Sequence, residues 1–239
     1  MHNNDDEGYE EAMSNREMLK LYLDTFFLNY ENVADQALDK AIDFQREVYK
    51  KHRLNLISLS KRNIKSEEED IQTQEDRLYV KTYLYEVEAE VFALYELKIM
   101  YAYKYFEIRL KELSKHVFND LPDKDLYLND LEKFYKNKNL GFSKIDYYYN
   151  VNELRRVNNS LKHSGHFIGQ KIRNIPEFTD LTYLQIGPLK KFYERVQNAP
   201  KEFVSALASA IYDHLFKNDR YTDISKEFDI QDNALTSPF

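Results

Sequence analysis

Residues 80–110, VKTYLYEVEAEVFALYELKIMYAYKYFEIRL, decide the fold. Val80, Leu84, Val87, Val91, Leu94, Leu97, Tyr101, Tyr105 and Ile108 recur at steps of three and four, the spacing of one helical face rather than the alternation of a strand. Neither Gly nor Pro interrupts the run, so the pattern predicts a helix over 77–118 that ends before the Leu121-Pro122-Asp123 turn. Upstream, Leu19, Leu23, Phe26, Tyr30, Val33, Ala37, Ala41, Phe44 and Val48 repeat the stepping and predict a first long helix over 15–60. Two such helices bury their stripes by packing as an antiparallel pair. The charged residues 61–76 between them read as a mobile loop.

Composition agrees with an all-α fold. In 239 residues there are only five Gly and five Pro, against 20 Tyr and 15 Phe, which suits long helices better than a sheet with many tight turns. The absence of cysteine excludes a disulfide framework and thiolate metal sites. No apolar run at the N-terminus reads as a signal peptide, and none approaches the length of a membrane span, so a cytoplasmic protein with no membrane partner is expected. A net charge of -7 argues against coating nucleic acid by bulk electrostatics.

The remaining chain reads as a series of shorter elements. Residues 1–14, acidic and Asn-rich, form a flexible tail; residues 15–217 form a single helical domain; residues 218–239 form a loosely docked tail. A short helix is expected over 129–137, then Gly141, then Ser143 as N-cap of a helix carrying Ile145 through Lys162, with Gly165 as its stop. Residues 166–187 have weak periodicity and read as an irregular surface excursion. Pro188 and Pro200 each start a helix, the last containing Phe203, Leu207, Ile211 and Leu215.

Chemistry concentrates in residues 154–166, LRRVNNSLKHSGH. Over residues 155–191 seven bases face only Glu177 and Asp180, so the patch is basic within an acidic protein. Arg156 and His163, seven residues apart, lie within about 20° of each other on a continuous helix, roughly 10 Å apart along its axis. A permanent cation and an imidazole able to carry protons therefore share a face. The bland reading is an Arg paired with a surface carboxylate and a His whose charge suits a helix C-terminus.

Arg156 and His163 resemble the motif of the HEPN superfamily, helical proteins with an Arg separated from a His by four to six residues near a helix end. The six intervening residues here are the longest spacing that pattern allows, and residues 106–113, FEIRLKEL, look like the upstream HEPN helix with Glu107 inside an apolar stripe. The resemblance covers about residues 80–217, leaving the 15–60 helix either as part of that core or as an added dimerisation arm. It implies an HEPN-like bundle and a metal-independent endoribonuclease, often a toxin or antiviral effector, whose cleft forms where two protomers meet. It also implies an RNA substrate, a homodimer, a cognate inhibitor or regulatory partner, and no cofactor or metal. In that reading His163 moves protons and Arg156 holds phosphate oxygens; Arg155, Asn159, Lys162 and His166 bind substrate, with Asn158 also near enough to orient the His. Arg155, eight residues before His163, falls outside the family spacing. Ser164, Gly165, His166 and Phe167 follow the motif, without the nearby Tyr that one HEPN branch presents for modification.

Other chemistries find no support. His163 and His166 form H-x2-H, but no Glu stands beside them as in a zincin, and no Gly-rich phosphate loop, nucleophile elbow or Cys exists. Glu86, Glu88, Glu90 and Glu96 read as a solvated face, with one of them able to reach the basic patch and orient His163. The many Tyr residues read mostly as core rim, with Tyr147, Tyr148 and Tyr149 the better candidates for stacking on bases. The alternative function is a non-catalytic helical dimer, an interaction or RNA-binding module built on the long helices.

Overall fold

The computed structural model describes residues 20–21, 33–62, 71–118, 120–122 and 126–216; the expectations for residues 1–14 and 218–239 lie outside them. The helices are α1 (Val33–Arg62), α2 (Ile71–Val117), α3 (Leu128–Asn137), α4 (Tyr148–His163), α5 (Ile186–Val196) and α6 (Ala199–Phe216). Short 3-10 turns occupy Phe142–Lys144 and Pro176–Phe178. The described residues hold no β-strand, only an isolated antiparallel bridge between Phe167 and Tyr183. The fold is all-α, and no described helix is long and apolar enough to cross a membrane.

α1 and α2 pack as the expected antiparallel hairpin. Lys98 meets Asp39, Arg46 meets Tyr95, Tyr49 meets Glu88 and His52 stacks on Tyr83, so numbers rise on one helix as they fall on the other. The phase of the α1 stripe differs from expectation: Phe44 is 65% exposed and Ile42 is 1% exposed. The inward face runs through Asp35, Leu38, Ala41, Ile42, Gln45, Val48, Tyr49 and His52; Ala41 and Val48 belong to the expected stripe, but the polar members of the face and the exposed Ala37 and Phe44 do not follow a hydrophobic pattern. On α2 the early stripe is right, since Val80, Leu84, Val87 and Val91 are buried. Further along, Leu97, Tyr101 and Ile108 are exposed, and Tyr95, Lys98, Ala102, Phe106 and Leu110 take their place inside. α2 also starts at Ile71, so part of the stretch read as a loop is helix.

Lys98 shows how the hairpin tolerates buried charge. Its ammonium, almost inaccessible, lies 3.0 Å from Asp35 and 2.5 Å from Asp39, with the Tyr193 ring centroid 4.5 Å away. Two carboxylates and a π face replace the water it has lost.

The core lies at the other end of α2, against α4, α5 and α6. Phe106, Phe142 and Phe203 pack edge to face, and Tyr135 stacks on Phe142 with centroids 5.1 Å apart. The buried Tyr135 hydroxyl reaches Ser114 Oγ at 2.7 Å, and that Oγ donates in turn to the Leu110 carbonyl at 2.7 Å. α4 begins at Tyr148 after Tyr147, whose φ of 65° is left-handed; Ser143 sits in the preceding 3-10 turn and does not cap it. Residues 166–187 are irregular as expected, yet Ile168, Ile172, Ile175 and Phe178 are fully buried, so the segment is sewn into the core rather than laid over it.

Candidate functional site

α4 positions the site by dividing its surface. Val151, Leu154 and Val157 face the core with no exposure, which turns Arg155, Arg156, Asn159 and His163 outward on the same helix. A cleft of about 1000 Å³ lies beside this face. Arg155, Arg156, Asn159 and His163 line one wall, and Gly169 to Ile172 with Asn174 build the other. The sequence-predicted pair is thus brought to one cavity.

Arg156 bridges the two walls of that cavity. Its Nη2 donates to the Lys171 carbonyl and, at 3.3 Å, to Asn174 Oδ1, tying α4 to the opposite wall. A guanidinium has five N–H donors, so this brace leaves Nε and Nη1 for a bound anion. Arg155 is held differently: its Nε and Nη2 both donate to Asn152 Oδ1, at 3.1 and 2.8 Å, one turn earlier on α4. His163 is the last residue of α4 and is exposed, so its ring meets water and ligand alike.

A smaller cleft of about 370 Å³ opens on the other side of α4. It shares Arg155, Asn159 and His163 with the first and adds Lys162, the buried Asn158, Tyr103 and Glu107 from α2, and Tyr127 to Asn129 at the start of α3. Burial pushes the Tyr103 phenol well above its usual range; its hydrogen bond to Glu107 adds to this, and Arg155 opposes it. Asn158 is wholly buried, and among the described residues its Oδ1 has no hydrogen-bond partner.

His166 does not join either cleft. Gly165, with φ of 52°, and His166 itself, with φ of 70°, turn the chain so that His166 Nε2 lies 3.0 Å from Glu96 Oε1, its ring 4.7 Å from that of Phe92. His166, expected among the substrate-binding residues, is placed against Glu96 and Phe92 of α2 instead of in either cleft. Burial raises the Glu96 carboxyl above the usual carboxylate range, and His166 works against that rise. Glu96 is therefore the glutamate that reaches the histidines, and it reaches His166. Tyr148 packs against the core and its hydroxyl donates to Glu132 at 3.1 Å, while Tyr147 and Tyr149 remain exposed.

Sequence reasoning missed a clamp that ties α5 to α4. Arg195 of α5 donates through Nη1 to the buried Glu153 of α4 at 2.8 Å, and through Nε and Nη2 to both oxygens of Glu177 at 2.7 and 2.9 Å. Burial alone would raise the Glu177 carboxyl, but the Arg195 fork outweighs it and holds the pKa below its ordinary value. Glu153 and Arg195 stand 42 residues apart, and no local pattern links them. The far cleft wall was equally hidden, signalled only by Lys171 within the basic run. Among the described residues no group of three His, Asp or Glu side chains is placed to hold a metal ion. No protein-family model, curated protein or solved structure matches the chain.

Proposed function

We propose that the chain is a metal-independent endoribonuclease of the HEPN type, acting as a homodimer in the manner of a toxin or antiviral effector. The observation that carries this reading is that Arg156 and His163 line one cleft from the same face of one helix. In the reaction, the ribose 2'-oxygen attacks the adjacent phosphorus and the 5'-oxygen leaves, giving a 2',3'-cyclic phosphate and a 5'-hydroxyl. One proton must leave the 2'-hydroxyl and one must reach the departing oxygen, while negative charge builds on the phosphorane. His163 is the proton carrier, and the free side of the Arg156 fork binds the charged oxygens. One imidazole per protomer serves both proton transfers when a two-fold axis brings a second His163 to the same groove.

The test uses purified full-length protein and structured RNA in excess EDTA. Cleavage is expected, with His163→Ala lowering the rate at least about a hundredfold while leaving the helical circular-dichroism melt unchanged. Absence of cleavage by the unaltered protein, or an unchanged rate in His163→Ala, overturns the reading.

A second reading is favoured by a separate observation. Ile71, Leu78 and Tyr85, seven residues apart along α2, are all at least two-thirds exposed on the side away from the stripe that meets α1. Heptad spacing of apolar side chains is what a helical partner needs. The alternative is a non-catalytic helical dimer or interaction module that uses this seam, with Arg156 serving only as the brace to Lys171.

A further inference from the structure

We propose that the smaller cleft is a nucleotide pocket that receives a guanine base from an RNA strand crossing α4 at His163; the strand, though not the pocket chemistry, rests on the endoribonuclease reading. Three groups, Arg155, Asn159 and His163, belong to both clefts. A single strand laid over α4 therefore places neighbouring nucleotides on either side of the helix with a phosphodiester at His163.

The pocket's size and polarity select the occupant. Its volume of about 370 Å³ falls within the roughly 300–1,000 Å³ typical of small-ligand sites. Its cationic edge, Arg155, Lys162 and His163, favours phosphate, while the start of α3 is already capped by Asp130, whose Oδ2 accepts from the Tyr127 N–H at 3.1 Å. Two acceptors of its lining bear on the base. Glu107, held by the Tyr103 hydroxyl, can only accept, and among the described residues the buried Asn158 Oδ1 has no donor. A buried acceptor without a partner is destabilising until a ligand supplies the N–H.

Guanine is the base that offers two adjacent donors, N1–H and the N2 amino group, along its Watson–Crick edge. Adenine and cytosine pair one amino group with an acceptor, and uracil flanks one N–H with two carbonyls; each turns an acceptor toward Glu107 or Asn158. Tyr127, 69% exposed at the rim, supplies a ring on which a base can stack.

Titration of the full-length protein with the four nucleoside 5'-monophosphates by calorimetry tests the pocket without requiring turnover. The guanosine nucleotide is expected to bind at least about tenfold tighter than the others, because a site built from hydrogen-bonding groups rejects an analogue that leaves them unpaired. Glu107→Gln should abolish that preference, and Tyr127→Ala, an exposed change that leaves the fold intact, should weaken all four. Equal affinities, no binding at roughly millimolar nucleotide, or an unchanged preference in Glu107→Gln overturns the proposal. Guanosine-selective binding by a protein that cleaves no RNA leaves the pocket standing and removes the enzyme; cleavage without nucleotide binding removes the pocket alone.

Discussion

The half of α2 that pairs with α1 and the half that enters the core are one continuous helix under two kinds of packing. Along the hairpin, among the described residues, α1 contributes a single fully buried apolar side chain, Ile42. Half-buried Leu38, Ala41 and Val48 accompany it, and directional contacts set the register: Arg46 to the Tyr95 hydroxyl at 2.6 Å, Tyr49 to Glu88 at 2.9 Å, and Lys98 to Asp35 and Asp39. At the other end Phe106, Leu110 and Leu113 have no exposure and touch aromatic rings from several elements. Directional contacts on a wet surface contribute little each, whereas buried aromatics dominate stability. Folding free energy therefore resides in the core end, and the hairpin is specified more by register than by depth.

Three substitutions break or sharpen this contrast. Phe203→Ala removes a ring that packs on Phe106, Phe142 and Tyr148, and should cost about 3–5 kcal/mol in urea denaturation, enough to unfold much of the protein. Ile42→Ala should cost about 2 kcal/mol, the low end for a buried aliphatic, with faster amide exchange in α1 and little change in α6. An equal loss of protection in both helices would show that hairpin and core unfold as one unit. Glu177→Gln is the smallest change and is read through pH. Because its folded pKa lies below the ordinary 4.5, its stabilisation is complete above that value and fades as the pH falls through the lowered one. Urea midpoints of the unaltered protein and the variant should therefore differ at neutral pH and converge in acid; parallel curves would assign the clamp's strength to Glu153 instead.

The same contrast explains what the sequence disclosed. Val80, Leu84, Val87 and Val91 meet one partner helix, so a single stripe describes them. Beyond Tyr95 several elements surround α2, the buried arc widens, and Leu97, Tyr101 and Ile108 cease to mark the inside. On α1 the inward residues are half polar, and Phe44 misleads by being apolar and exposed. In the site, Arg155, Arg156, Asn159 and His163 were legible because helix geometry alone brings them to one face. His166 was not, since two left-handed residues set its direction, and neither was Arg195, whose partners come from distant segments.

Residues 71–117 contain neither glycine nor proline, the usual causes of a bend, and form one helix about 70 Å long. Ile71, Leu78 and Tyr85 ride near one end, and Tyr103 and Glu107 belong to the cleft wall roughly 44 Å from Leu78. Along so long a rod small angles become sizeable displacements: a tilt of one degree about Glu107 corresponds to about 0.8 Å at Leu78.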